Sequence, residues 1–463
     1  MGRMNNNNEK IKKSLKYSIL DGAFFSAMVG FGESFFSAFA IFLKANNFQI
    51  GLLGSLPQTL GSVSQLCSDR LIRLVNSRKK LICIGALLEG LMYIPIALVF
   101  FFGTLRVFHL IFFVCLYWIF GMIIGPAWNS WMGDLVDEEE RGSYFGRRNR
   151  IAGLTSFVSF VIAGYILQRF TNGAGSQYLG FVIIFSLAFL SRIVSLIYLT
   201  KKYEPEYKFL PEAYFSFIDF IKQARFRNYG LFVFYLCFMN FSVYLASPFF
   251  TAYMLYDLKL DYMSFTIINA VAILVKYLTM PVWGKASDRF GTRKVLSLAG
   301  FLMPVVPLLW LFSKDMLYLI IIQAYSGFVW AGFEIASFNF IFDTTSPQKR
   351  ATCVAYYNVL DGIAIFSGAM IGSVIIRYNN IFWSKYLFVF FVSFVFRYLA
   401  SIIFIPKLKE VRRVEQVPYQ KLFLNIITTI PTQGVVHDLI TFRKSVKTDK
   451  IKDLRKKAFR KGG

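Results

Sequence analysis

Runs of about twenty apolar residues recur along the whole chain, and short stretches rich in lysine and arginine separate them. A run of that length crosses a hydrocarbon layer about 30 Å thick as a helix. Lipid offers no partner for backbone N–H and C=O groups, so only helices and closed barrels can span it. A barrel would show short alternating segments instead. The expected fold is therefore all-α, a polytopic membrane protein. Twelve spans are expected, at about 17–43, 50–71, 79–102, 107–133, 147–170, 177–200, 228–256, 262–283, 293–313, 316–343, 350–377 and 383–406. The composition agrees: of 463 residues, 56% are hydrophobic and 17% are charged, where a soluble domain carries about 25% charged residues.

The net charge is +25. A basic chain invites nucleic acid as a partner, but here the charge sits in short loops and tails between apolar runs. Membrane lipids are the expected anionic partner, and no nucleic acid is. Alternating the loops between two sides puts almost all Lys and Arg on one of them. The other side holds only Lys44, Arg106, Arg169, Lys259, Lys314, Arg377 and Lys385. Basic loops are held on the cytoplasmic side, so both termini are expected there, in a cytoplasmic (inner) membrane. The expected organisation is a short N-terminus (1–16), a six-helix bundle (17–200), a linker with an amphipathic helix (201–227), a second six-helix bundle (228–406) and a basic tail (407–463). In the linker, Phe215, Ile218, Phe220 and Ile221 recur at helical spacing. The tail stretch 437–461 reads as a surface helix or a disordered arm that is drawn to anionic lipid or binds a partner. A monomer is expected.

The two halves resemble each other. "WMGDLVDEEERGSYFGRRNRIAG" (131–153) aligns with "FIFDTTSPQKRATCVAYYNVLDG" (340–362), matching Asp134 to Asp343, Arg141 to Arg350, Asn149 to Asn358 and Gly153 to Gly362. "SDR" follows the second span of each half, at 68–70 and 287–289, and Arg192 and Arg397 occupy similar places in the sixth and twelfth spans. Six-plus-six parallel repeats form a known transporter architecture with the site near the midplane. Residues 17–406 thus resemble the major facilitator superfamily. The most specific part is Gly284-Lys285-Ala286-Ser287-Asp288-Arg289-Phe290-Gly291-Thr292-Arg293-Lys294, which is similar to the family's G-x-L-a-D-R-x-G-r-(R/K)-(R/K) loop. In the first half Asp69 and Arg70 survive, Gln65 replaces the glycine, and a longer insert precedes Asn76 to Lys80.

Such a loop turns the chain sharply between two helix ends. Gly291 permits backbone angles that other residues resist. Asp288 can meet the positive end of a helix, and Arg289, Arg293 and Lys294 can face phosphates or carboxylates. The resemblance implies a gate: Asp288 and Arg289 make charge contacts that close the cytoplasmic side, with Asp134, Arg141, Asp343 and Arg350 as candidate partners. Simple anchoring by positive charge is the alternative.

Glu33, Glu89, Lys276, Glu334, Asp361 and Arg192 lie well inside spans, with Arg397 as a seventh. At about 1.5 Å per residue, the first five fall near the middle of the layer. A lone charge there is costly, so each should pair or face water. Ser26, Gly30, Glu33 and Ser37 form one stripe, and Gln323, Ser326, Trp330, Glu334 and Ser337 form another. Asn240, Tyr244 and Ser247 align before Pro248, and Gly121, Gly125 and Asn129 align beside Pro126. The resemblance implies that these spans, the first, fourth, seventh and tenth, line a central cavity. Glu33 and Glu334 are candidate substrate- or proton-binding carboxylates, or else structural hydrogen-bonding groups. Lys276 is a candidate counter-ion or anion ligand, or else a structural pair. Asn240, Tyr244, Asn129, Gln323 and Trp330 complete the candidate set.

Cys67, Cys83, Cys115, Cys237 and Cys353 are scattered without a C-x-x-C, and the only histidines are His109 and His437. Neither disulfide, metal site nor cofactor is expected, and no nucleotide-binding or hydrolase motif occurs. An enzyme is not expected. The resemblance implies a secondary active transporter of a small solute, working by alternating access, with protons as a candidate coupling ion. The fourth span lacks the arginine, and the fifth the proline motif, that mark proton-linked and drug-exporting members. A non-transporting membrane receptor with this fold is the alternative. The buried lysine among polar stripes would suit an anionic or zwitterionic solute.

Overall fold

The computed structural model describes residues 2–136, 141–171, 173–205, 217–224, 227–345, 347–379, 384–411, 418–420, 422 and 426. Eleven of its helices are long and apolar enough to cross a membrane: α1 (Glu9–Phe42), α3 (Arg78–Phe101), α4 (Gly103–Leu135), α5 (Tyr144–Arg169), α6 (Ala174–Thr200), α7 (Asn228–Asp257), α8 (Tyr262–Phe290), α9 (Thr292–Leu309), α10 (Met316–Ile341), α11 (Cys353–Tyr378) and α12 (Lys385–Lys407). The twelfth, α2 (Asn47–Ser64), is long enough but more polar. Its Ser55, Gln58, Thr59 and Ser62 face protein rather than lipid, because α2 lies between α4 and α11. No strand occurs among the described residues.

Local chemistry sets where these helices begin. Asn46 caps α2 through a reciprocal pair with Gln49, and Ser77, Asp261, Asp315 and Ser384 cap α3, α8, α10 and α12 with side-chain oxygens. Each satisfies a backbone N–H that the first helical turn leaves open. The caps also expose the repeat. Lys44 and Lys259 both take left-handed backbone angles, φ 64° and 51°, two residues before Asn46 and Asp261. Asn76 (φ 53°) and Gly291 (φ 98°) do the same between the second and third helix of each half. The turn expected at Gly291 is therefore present, and an asparagine replaces the glycine in the first half.

Several spans are broken. α1 breaks at Gly32 and passes through a 3-10 turn at Glu33–Phe35, α7 at Ala246 before Pro248, and α4 at Ile124 before Pro126. α7 ends in a π-helical turn, Tyr253–Asp257.

The 2–3 and 8–9 loops mark one end of the bundle, here called the basic end. At the other end a single apolar core joins both halves: Phe39, Phe181 and Phe185 belong to the same cluster as Phe249, Tyr253, Trp310 and Phe390. Toward the basic end the core divides. Trp131, Met132 and Ile82 form a cluster within the first half, and Trp283, Phe333 and Val295 form one within the second. Along the seam α2 packs on α11 and α5 on α8. The α5–α8 approach is close enough that a Cβ on Gly164 would clash with the Thr266 side chain.

Inside the first half, charges answer one another. Arg192 of α6 pairs with Glu89 of α3, both almost fully buried. Arg192 also donates to Ser195 Oγ at 3.1 Å, and Ser195 donates to Asp21 Oδ1 at 2.7 Å. Arg148 and Lys202 each reach Asp21 Oδ2 at 4.0 Å. Lys202 Nζ lies 4.4 Å from the centroid of the Trp131 ring and has no hydrogen-bond acceptor. Arg397, the counterpart of Arg192, meets, among the described residues, Ser393 Oγ and the Val243 carbonyl, at 3.0 and 3.5 Å.

The linker contributes one described helix, Phe217–Ala224, docked on α7 and α11. Phe217 packs edge-on and Phe220 tilted against Tyr356, while Ile218 and Ile221 are exposed. Phe215 and the tail stretch 437–461 lie outside the described residues.

Two stability predictions follow from this network. Arg192→Leu leaves Glu89 buried without its cation and should cost about 3–5 kcal/mol, read as a lower melting temperature in detergent. The double variant Glu89→Leu/Arg192→Leu should recover most of that loss. Burial pushes the Lys202 ammonium down to about 8. A folded-state value below the unfolded one means that the folded protein binds fewer protons between them, so stability should rise with pH from about 8 toward about 10.4. Lys202→Met should raise the melting temperature at neutral pH and flatten that rise.

Candidate functional site

The 3-10 turn in α1 places Glu33 where the helix ladder is interrupted, and Glu33 Oε2 accepts a hydrogen bond from Tyr117 of α4 at 2.8 Å. Tyr93 packs edge-on against Tyr117, ring centroids 5.4 Å apart. The carboxylate is thus held between α1 and α4 by a neutral donor, with no cation beside it among the described residues.

In the second half, Lys276 of α8 and Glu334 of α10 form an ion pair at 3.0 Å. Their side chains keep 26% and 39% of their exposure, so the pair is accessible rather than sealed in the core. Two to three turns away along the same two helices, on the side away from the basic end, Gln323 Nε2 donates to Asn269 Oδ1 at 3.4 Å. Trp330, on the same stripe of α10, packs against Phe333.

A third group joins the halves. Asn240 of α7 donates to Asp361 Oδ1 of α11 at 2.7 Å, and Tyr244, one turn further, donates to Gln58 Oε1 of α2 at 2.6 Å. Asn129, toward the basic end of α4, is exposed and makes none of these contacts.

The expected candidates therefore fall into separate clusters: Glu33 with Tyr117, Lys276 with Glu334, and Asn240 and Tyr244 with Asp361 and Gln58. Tyr117, Gln58 and Asn269 were not among the candidates. Each is an uncharged group in an apolar run, and only its position on a cavity-facing stripe could have marked it. Asp361 had the signal of an intramembrane charge, but its helix is not one of the four expected to line the cavity.

The loop residues take up partners within their own half. Arg78, fully buried, donates to Asp134 Oδ2 at 2.7 Å and to Ser130 Oγ at 3.0 Å. Glu204, just past α6, accepts from Ser77 Oγ and the Lys79 N–H. The second half repeats this layout. Thr292 Oγ1 donates to Asp343 Oδ2 at 2.8 Å, and the Arg293 N–H donates to Glu410 at 2.8 Å. Asp69, Arg70, Asp288 and Arg289 are exposed, and Gly284 is half-buried in α8. The side chains of Arg141 and Arg350 lie outside the described residues.

The end opposite the loops is latched between halves. Tyr256 donates toward the Ile41 and Ala45 carbonyls at 3.2 and 3.1 Å, and Tyr386 donates to Asn47 Oδ1 at 2.9 Å. The Met263 N–H donates to Gln168 Oε1 at 3.2 Å. Chemically, the interior offers hydrogen-bond donors, acceptors and one accessible ion pair. Among the described residues no cluster of three or more His, Cys, Asp or Glu could hold a metal.

The sequence profile of the Major Facilitator Superfamily matches residues 22–249 and again residues 231–459. No curated protein matches the chain. Among solved structures, a point mutant of the nucleoside transporter NupG superposes with a TM-score of 0.67 at 14% identity, covering 86% of this chain and 100% of that one. NupG itself gives 0.61 at 14% identity, covering 86% and 99%. A bacterial homologue of the human lysosomal transporter Spinster, inward-facing and occupied, gives 0.61 at 14% identity, covering 86% and 96%. Two profile matches in tandem, on two bundles with matching caps and loops, place this chain in the Major Facilitator Superfamily, a family of membrane transporters.

Proposed function

We propose that the chain carries a small polar solute across the cytoplasmic membrane by alternating access, with protons as the coupling ion. The observation that carries this reading is the divided core: one apolar cluster spans both halves at one end, and two separate clusters hold the halves at the other. Two bodies joined at one end and separate at the other are the geometry of a rocking transporter. Basic loops face the cytoplasm, so the conformation described here is open inward, with both termini inside.

The broken helices α1, α4 and α7 support a site at mid-depth, because freed backbone groups there can serve a ligand. Glu33, Lys276, Glu334, Asn240, Tyr244, Gln323 and Trp330 are its proposed lining, and Asn129 the proposed approach from inside. An accessible ammonium–carboxylate pair suits a zwitterionic or strongly hydrogen-bonding solute, which would exchange one partner of the pair for its own charge. Glu334 is already neutralised by Lys276. Glu33, whose partner among the described residues is a tyrosine hydroxyl, is therefore the better carrier of a proton at this site. The gate proposed for Asp288 and Arg289 belongs to the outward-open state, in which the basic ends would meet.

A thermal-shift panel of nucleosides and amino acids on the purified protein, repeated across pH, tests for a ligand. A hit should vanish in Lys276→Ala and should lose its pH dependence in Glu33→Gln; a hit unmoved by both would place the site elsewhere. The latch gives a second test. Tyr256→Phe with Tyr386→Phe removes hydroxyls worth about 1 kcal/mol each. Spin labels at Leu105→Cys and Lys314→Cys, in a Cys67→Ser background, should show the outward-open fraction rising tenfold or more; unchanged distances would argue against a latch.

A further inference from the structure

Asp361 stands where helices of both halves meet. Its Oδ1 accepts the Asn240 amide N–H at 2.7 Å, and it is hydrogen-bonded to Tyr357 one turn earlier in α11. Its neighbours in the helix bind α2 of the other half. Asn358 donates to Gln65 Oε1 at 2.9 Å, and the Gly362 carbonyl accepts from Thr59 Oγ1 at 2.8 Å. A parallel link runs through α7, where Tyr244, one turn beyond Asn240, donates to Gln58 at 2.6 Å. The carboxylate thus lies inside a polar seam between α2, α7 and α11.

The surroundings of the other intramembrane acids differ. Glu89 has Arg192 and Glu334 has Lys276, so each is neutralised without a proton. Among the described residues Glu33 bonds to Tyr117, within the first half. Around Asp361 the titratable groups are Cys237 and Tyr244 from α7 and Tyr357 from its own helix. From α2 come the uncharged Gln58, Thr59 and Gln65. Arg397 of α12, which packs on α11, turns instead to Ser393 and the Val243 carbonyl. No described cation pairs with Asp361.

We propose that Asp361 is a proton-binding site whose occupancy controls the seam between α2 and α11, and hence the outward closure of the two halves. This deepens the reading of the chain as a rocking, proton-linked transporter and rests on it. The ionised carboxylate only accepts hydrogen bonds; it takes the Asn240 amide and the Tyr357 hydroxyl and favours water. One proton from the adjoining aqueous phase converts it to a carboxyl, which can donate. Asn240 can then answer with its carbonyl, and the uncharged group tolerates the dry, closed seam. Loss of the proton restores a charge that is costly to keep there, and the seam opens to hydrate it. Asn240 and Tyr244 share one face of α7, so the change at Asp361 is passed to Gln58 by a single turn of helix.

The full-length protein in lipid nanodiscs, with no solute added, tests this. The label pair Leu105→Cys and Lys314→Cys reports outward opening, and pH-difference infrared spectra report protonated carboxyls. Between about pH 5 and about pH 9, a range bracketing free and buried carboxylates, the outward-open fraction should rise about tenfold in the parent. Asp361→Asn should hold it at the acid value throughout and remove one protonated-carboxyl band. Asp361→Glu should keep the response with a displaced midpoint, which separates proton binding from a loss of folding. An Asp361→Asn protein that keeps the full pH response would overturn the proposal. So would a parent that populates both conformations without responding to pH, although rocking would then survive. A parent with one conformation under every condition would remove the rocking reading and the proposal with it.

Discussion

A charge placed in hydrocarbon must be answered inside the protein, and that constraint organises this molecule. Lipid supplies neither water nor counter-ion. Arg192 therefore draws Glu89, Ser195 and, through it, Asp21 into one connected group that ties α1, α3 and α6 together. The same constraint explains the ion pair of Lys276 and Glu334 across α8 and α10. It also explains why α2, too polar for lipid, lies between α4 and α11. Breaking the Arg192–Glu89 stitch would strand a buried charge, so these helices are held firmly to one another.

The two halves share ancestry in their turns more than in their interiors. Lys44 with Asn46 and Lys259 with Asp261 make the same left-handed step and cap, and Ser77 with Glu204 and Arg293 with Glu410 make the same tie from the sixth helix back to the third. The cores have diverged. The first half carries a network of five charges; the second keeps Arg397 without an acid among the described residues. Turn chemistry is local and survives duplication, whereas a buried pair can be lost once packing around either partner changes.

That contrast accounts for what was legible in the sequence. Hydrophobic run length gave the spans, since each is a local property of about twenty residues. The Gly291 turn was readable because a positive φ restricts the choice of residue. The repeat of Lys44 and Lys259 went unread, because lysine is not a residue that announces such a turn. Pairing was less accessible still. Glu33 and Tyr117 are far apart in the chain, as are Asp361 and Asn240, and no periodicity says which stripe will meet which. Asp134 was aligned with Asp343 by position, yet nothing in the aligned stretch after the insert said that its Arg78 would be the side chain to meet Asp134.

One feature of α7 reaches beyond the packing around it. The Leu258 N–H bonds back five residues to the Tyr253 carbonyl, so this last turn holds one residue more than an α-helical turn. Converting it to ordinary winding would turn Tyr256 and the residues up to the Asp261 cap about the helix axis, by as much as about 100° at the end of the turn. The Tyr256 hydroxyl would be carried off the end of α1 while the bundle itself stayed still. Release of that contact would need only a change in the winding of a single helix tip.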